Sequence, residues 1–272
     1  MTEFALGPAI LFCPADRPER YAKALQRADA VILDLEDAVA ADRKDVARQS
    51  LVDNPLDPER TIVRVNAYHT DDLGADLAAL RRTAYRYVML PKSSDLVDFD
   101  ALTDFAVIAL CETAEGVLSA PRVARAAPVV ALMWGAEDLV ASMGGTSSRG
   151  PDGRYRPAIA HARAMVAFAA AAAGRAMIDA VRLDIADLDG LAEEARDAAA
   201  LGFAATACIH PSQVEVIREA YRPAPADVER ARALLAAAQQ AGGGVFTFEG
   251  RMVDGPVLRH AESLVRRANI RP

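Results

Sequence analysis

Eight short apolar runs recur along the chain, at residues 9–13, 30–35, 61–66, 87–90, 106–111, 129–134, 180–185 and 203–209. Runs of this length bounded by turn-forming residues read as strands buried in a parallel sheet. Between them, helical periodicity covers 19–27, 43–51, 71–82, 96–105, 115–126, 158–173 and 188–201, and a short helix at about 212–221 follows the last run. Strands alternating with helices imply right-handed βαβ units, and eight of them favour a closed (β/α)8 TIM barrel over an open sheet. A length of 272 residues agrees with the roughly 250 typical of that barrel. No G-x-G-x-x-G or Walker A pattern follows the first run, so a nucleotide-binding open sheet loses its main support.

Beyond Arg222-Pro223-Ala224-Pro225 about fifty residues remain, with an Ala-rich helix over 226–241, the flexible Gly242-Gly243-Gly244, a segment 245–250 and a last helix near 256–267. The expected organisation is a catalytic barrel over 1–222 and a C-terminal helical extension over 223–272. Such an appendage acts as a lid or as an arm packing on a neighbouring subunit. The competing reading is a helix that plugs the underside of the barrel.

Several strands end in carboxylates, at the mouth where ligands of α/β folds bind. The fifth run ends at Glu112-Thr113 and the sixth leads into Gly135-Ala136-Glu137-Asp138. Glu112 and Asp138, projecting from two strands, suit a hard divalent cation that takes oxygen ligands. Either acid could instead cap the helix that follows it. The second strand ends in Asp34-Leu35-Glu36-Asp37, with Asp34 and Glu36 on one face and Asp37 opening the loop. Three acids so close need a cation, an arginine or protons to coexist, and one of them could pair with Arg43 or Lys44. Arg64, at the end of the third strand, carries a fork suited to a substrate carboxylate. Lys92 is the lysine expected among the strand ends; as a Schiff-base nucleophile it would need a lowered pKa, and an ion pair with the acidic cluster is the favoured reading. Backbone N–H groups around Gly135 and Ala136, at a helix start, could receive a carboxylate or an oxyanion. The Gly-rich 144–153 segment reads as a mobile loop rather than a phosphate cradle.

Composition narrows the classes. A formal net charge of −7 argues against general binding to nucleic acid or anionic membranes. Only Lys23, Lys44 and Lys92 among the 31 basic residues are lysine, so an isolated arginine carries little information. Cys13, Cys111 and Cys208 lie in apolar runs without metal-ligand spacing, which fits buried reduced thiols and a cytoplasmic protein. The N-terminus has no signal-peptide pattern, and the apolar run 164–174 is too short to span a bilayer. His69, His161, His210 and His260 form no zinc pattern, and no G-x-S-x-G elbow is present.

Taken in order, Asp34-Leu35-Glu36-Asp37-Ala38-Val39, Arg64-Val65-Asn66, Pro91-Lys92, Glu112-Thr113, Gly135-Ala136-Glu137-Asp138, Ile209-His210-Pro211-Ser212-Gln213 and Met252-Val253-Asp254-Gly255-Pro256 resemble the citrate lyase beta-subunit family. That family lies within the HpcH/HpaI aldolase superfamily, beside the malyl-CoA and citramalyl-CoA lyases. The resemblance implies a (β/α)8 barrel, usually trimeric, that binds Mg2+ (Mn2+ as the alternative) through Glu112 and Asp138. It places Arg64, with Gly135, Ala136 and Glu137, on the acid half of the substrate. It makes Asp254 a catalytic acid/base delivered by a neighbouring subunit's arm, with Glu36 and Asp37 orienting metal-bound water. Coenzyme A would run past Arg17, Arg20 and Lys23. The related pyruvate aldolases use a histidine where this chain has Asp37, which favours the acyl-CoA branch. The implied activity is cleavage or formation of a C–C bond in a 3-hydroxyacyl-CoA. A CoA-independent pyruvate-type aldolase and a subunit of a larger lyase complex are the alternatives.

Overall fold

The computed structural model describes Phe4, residues 6–242 and residues 244–269. Eight parallel strands, β1 (Ala9–Pro14), β2 (Ala30–Asp34), β3 (Thr61–Arg64), β4 (Tyr87–Leu90), β5 (Ala106–Cys111), β6 (Val129–Trp134), β7 (Ala176–Asp179) and β8 (Ala205–Cys208), close in sequence order into a barrel. Around it run α1 (Pro18–Arg27), α2 (Lys44–Asp53), α3 (Asp72–Leu80), α4 (Ala114–Val123), α5 (Ala136–Ser142), α6 (Pro157–Ala172), α7 (Leu188–Leu201) and α8 (Pro211–Tyr221). The strands stay together because their inward residues are apolar. Pairing registers set Ile32 beside Ile62 and Met89 beside Ile108, all fully buried. Each such side chain contributes about 1.5–3 kcal/mol by leaving water.

Helix starts are set locally. Thr113 caps α4 by accepting the Gly116 N–H at 3.0 Å, and Asp187 caps α7 through the Gly190 N–H at 2.9 Å. The α7 helix ends on Gly202 at φ 92°, a left-handed cap that a side chain would strain.

Two expected elements differ. The seventh strand was expected at 180–185 but lies at Ala176–Asp179. Alternation of Val181, Leu183 and Ile185 with polar residues imitates a strand, yet Leu183 and Ile185 are 55% and 42% exposed in a loop. The true strand is hidden in the sequence because it follows the Ala-rich α6 after a three-residue break, Ala173-Gly174-Arg175. The helix expected at 96–105 shrinks to a 3-10 turn, Phe99–Leu102, whose start is closed by the Asp98 carboxylate accepting the Asp100 N–H.

The chain forms two compact units, Met1–Ala220 and Tyr221–Pro272. In the second, α9 (Pro225–Ala241) is followed by a hairpin of β9 (Phe246–Phe248) and β10 (Arg251–Val253), then by α10 (Gly255–Asn269). The hairpin turns on Glu249 and Gly250 at φ 47° and 74°, the positive pair of a two-residue turn matched to strand twist. Val253, Ala231, Leu234 and Ala261 form this unit's own small core. Among the described residues no helix is long and apolar enough to cross a membrane.

Candidate active site

The mouth is built from strand ends in neighbouring register. Pairing sets Asp34 beside Arg64, and the two side chains meet as a fork, Arg64 Nε donating to Asp34 Oδ1 at 2.7 Å and Nη2 to Oδ2 at 2.6 Å. Asp34 also accepts the Glu36 and Ala38 N–H groups at 2.9 and 3.1 Å, so the β2–α2 turn is folded onto it. Arg64 Nη1 lies 2.9 Å from Glu36 Oε2, and its guanidinium sits over the Phe12 ring at 5.0 Å. The other Glu36 oxygen is ion-paired with the Lys92 ammonium. Four charges therefore alternate in a row: Asp34, Arg64, Glu36, Lys92.

That row fixes protonation. Burial would push the Lys92 ammonium toward neutrality, but the hydrogen bond and charge of Glu36 outweigh it and hold its pKa above the usual lysine value. Lys92 is thus a cation and not a Schiff-base nucleophile. For Glu36 burial prevails, and its pKa is raised in spite of Arg64 and Lys92. Arg64, raised by Asp34 and Glu36 against the cost of its burial, stays charged. The Lys44 ammonium pairs with none of the three acids; it donates to Leu35 O, Glu36 O and Asn66 Oδ1 at 2.7, 2.9 and 2.7 Å, bracing the loop from below. Arg43 lies instead 3.5 Å from Asp16. Asp37 is exposed in the loop and reaches the row only through its charge on Glu36 and Lys92.

Glu112 stands apart from that balance. It is 2% exposed at the end of β5, and its Oε1 accepts the Lys92 backbone N–H at 3.1 Å. Burial, then the charges of Asp138 and Glu36, push its carboxyl up to about 8. Asp138, half-buried in the first turn of α5, faces the same cleft electrostatically. Among the described residues neither acid has an ion-pair partner, and no group of three or more His, Cys, Asp or Glu side chains gathers in a metal-like cluster. Gly135 completes the slot: a Cβ there would meet Glu112 Oε2 at 2.9 Å, so only glycine lets β6 pass so close. Cys111, behind Glu112, is pushed up to about 12 by burial and by that carboxylate, which leaves it inert.

On the far side of the mouth the Trp134 indole donates to Asp179 Oδ1 at 2.6 Å, and the Arg163 fork donates to both Asp179 oxygens at 3.0 and 2.8 Å. Tyr155 meets Trp134 edge-on at 5.1 Å, and Arg149 stacks on Tyr155 at 3.9 Å while pairing with Glu194. Within the 144–153 segment Arg149 thus makes side-chain contacts beyond the loop. Ser148 adds a bond of 2.6 Å to Glu137 Oε1, so Glu137, expected to touch substrate, is engaged by this loop. Asp179, Arg163 and Tyr155 were missed in the sequence; Asp179 was hidden by the misplaced seventh strand, and the other two carried no signal beyond abundant residue types.

Arg17, Arg20 and Lys23 lie exposed on and just before α1, where β1 ends, with loose pairs at 3.7 Å to Asp16 and 3.9 Å to Glu19 for the arginines. Asp254 belongs to the second unit, where it opens α10 with its Oδ1 3.4 Å from the Val257 N–H. Cys13, Cys111 and Cys208 are all buried and free, as expected.

Known proteins resemble the chain along most of its length. The sequence profile of the family described as HpcH/HpaI aldolase/citrate lyase matches residues 9–211. Another, described as a C–C bond lyase of the TIM-barrel fold, matches residues 156–271. The citrate lyase subunit beta-like protein of Mycobacterium tuberculosis is 56% identical over 264 residues, covering 97% of this chain and 96% of that one. The mitochondrial citramalyl-CoA lyase of Homo sapiens is 33% identical over 290 residues, covering 94% and 84%. A crystal structure of the protein CitE from Mycobacterium tuberculosis in complex with magnesium, acetoacetate and coenzyme A superposes with a TM-score of 0.92 at 56% identity, covering 97% of this chain and 99% of that one. The chain is a carbon–carbon lyase of the (β/α)8 class. It belongs to the HpcH/HpaI aldolase/citrate lyase family.

Proposed function

We propose that the protein is a Mg2+-dependent lyase that splits a 3-hydroxyacyl-CoA into acetyl-CoA and an oxo acid, or runs the reverse condensation. The observation that carries this reading is the charge balance at the mouth. Asp34 and Glu36 are paired with Arg64 and Lys92, while Glu112 and Asp138 face one cleft with no ion-pair partner among the described residues. Burial with the Asp138 charge pushes the Glu112 carboxyl up to about 8, so that it keeps its proton until a cation replaces it. A divalent cation with oxygen preference is the fitting counter-ion, with water completing its shell. Bound there, Mg2+ supplies a Lewis acid for the oxygens of the acid half.

The chain's own groups do the rest. The Arg64 Nη protons not engaged by Asp34 and Glu36, with the backbone N–H groups at Gly135 and Ala136, orient the substrate carboxylate, which turns a diffusive encounter into a fixed geometry. Glu36 and Asp37 tune the field around that carboxylate, Glu36 by holding Arg64. Asp254 places a proton on the acetyl carbon during cleavage and removes it during condensation. Arg17, Arg20 and Lys23 line the path for the coenzyme A phosphates. The protein assembles as a homo-oligomer, a trimer in this reading, whose second unit brings Asp254 to a neighbour's barrel. Its three buried free thiols suit the cytoplasm.

The test is a Mg2+-dependent assay on malyl-CoA, citramalyl-CoA and hydroxymethylglutaryl-CoA, scored for acetyl-CoA release. Release that vanishes with EDTA supports the reading and ranks the acyl chains. No release, together with no heat protection by coenzyme A, overturns it in favour of a CoA-independent aldolase. A sharper probe is Gly135→Ala. The added methyl, 2.9 Å from Glu112 Oε2, should weaken Mg2+ binding by about tenfold or more while the melting temperature changes little; isothermal titration and a thermal melt read both.

A further inference from the structure

Lys92 is one of two non-glycine residues with positive φ among the described residues, at 50°; the other turns the hairpin of the second unit. A long side chain resists this conformation, which persists only where the surroundings impose it. Here the next residue is clamped: Ser93 N–H donates to Leu110 O at 2.9 Å, Ser93 Oγ to Leu90 O at 2.8 Å, and Ser93 O presses so close to α4 that a Cβ on Gly116 would lie 2.5 Å away. One consequence is that the Lys92 N–H reaches Glu112 Oε1 while its ammonium reaches Glu36 in the turn after β2. The same residue thus ties the balanced ion row to the unbalanced pair.

We propose that Lys92 is a positioning residue for Glu112. The Ser93 clamp on one side and the ammonium's anchor on Glu36 on the other together hold the backbone in the left-handed region, and that backbone presents the N–H that fixes Glu112 Oε1 while the bare Gly135 admits Oε2. The inference rests on the reading of Glu112 as a metal ligand. It assigns the side chain a task that a point charge alone does not explain. If the charge were all that mattered, removing it would tighten cation binding, since a positive neighbour repels the metal.

Titration of the full-length protein with Mn2+, read by the electron paramagnetic resonance of the free ion, separates the two. Lys92→Met keeps the N–H but loses the anchor, and should bind Mn2+ about tenfold or more weakly, the usual cost of losing an outer partner of a ligand. Lys92→Gly adopts positive φ without any anchor, and should stay within about threefold of the wild type. Lys92→Met binding as tightly as wild type or tighter overturns the inference, as does Lys92→Gly failing as badly as Lys92→Met. A wild-type protein that binds no Mn2+ overturns the metal reading itself, and this inference with it.

Discussion

Glu112→Gln should abolish Mg2+ binding and acetyl-CoA release together, by about a thousandfold or more, because it removes one of the two charged ligands proposed for the ion, where even an outer partner is worth 10–100-fold. The substitution is nearly isosteric, so its effects are those of charge. They extend to pH. In the metal-free protein the Glu112 carboxyl is held at about 8 against an ordinary 4.5, mainly by burial. A raised acid pKa means that the folded state binds the proton more tightly than the unfolded state. Its stability contribution is therefore fully present below pH 4.5 and is lost as the pH climbs through 8. The loss is of the order of a few kcal/mol for a group this buried. Thermal melts in EDTA should show wild-type stability falling across that window and Glu112→Gln falling less. Metal restores the missing charge balance, so Mg2+ should bind wild type with release of a proton below pH 8 and with affinity that rises with pH. Calorimetry in buffers of different ionisation enthalpy counts that proton. Unchanged Mg2+ affinity in Glu112→Gln would remove Glu112 from the ligand set.

The legible part of this site was written in strand ends. Asp34, Arg64, Glu112 and Asp138 each follow a short apolar run, and the barrel's closure brings such positions to one mouth whatever the loops do. What the sequence could not carry was the pairing. Arg64 reads as a free fork for substrate, but its Nε and Nη2 are spent on Asp34, which is set opposite it by register alone. The ion pair of Lys92 was legible as a reading of charge; the left-handed backbone beneath it was not, since nothing in Pro91-Lys92-Ser93 announces positive φ as a glycine would. Strand β7 failed for a simpler reason. Leucine and isoleucine alternating in an exposed loop outscored Ala176-Met177-Ile178-Asp179, and Asp179 was lost with the register. The hairpin on Glu249-Gly250 escaped because its turn lacks the Asn-Gly or Asp-Gly signature.

Asp254→Asn should lower kcat by about a hundred- to ten-thousandfold, the usual share of a general acid/base, while Mg2+ affinity stays as in wild type. This separates it from Glu112→Gln, which loses both. Because Asp254 sits in the second unit, ahead of α10, the two variants can also report which subunit supplies it. Mixed, unfolded and refolded together, an Asp254→Asn chain offers an intact barrel and a Glu112→Gln chain an intact arm. If arms act on neighbouring barrels, random assembly of an equal mixture gives wild-type composition at about a quarter of the sites, and activity should return to about a quarter of wild type from two inactive proteins. An arm that serves its own barrel leaves every site with one defect, and mixing then restores nothing. Return of activity would assign the second unit its purpose in trans. Its absence, with both variants folded and oligomeric, would make each subunit a self-sufficient lyase.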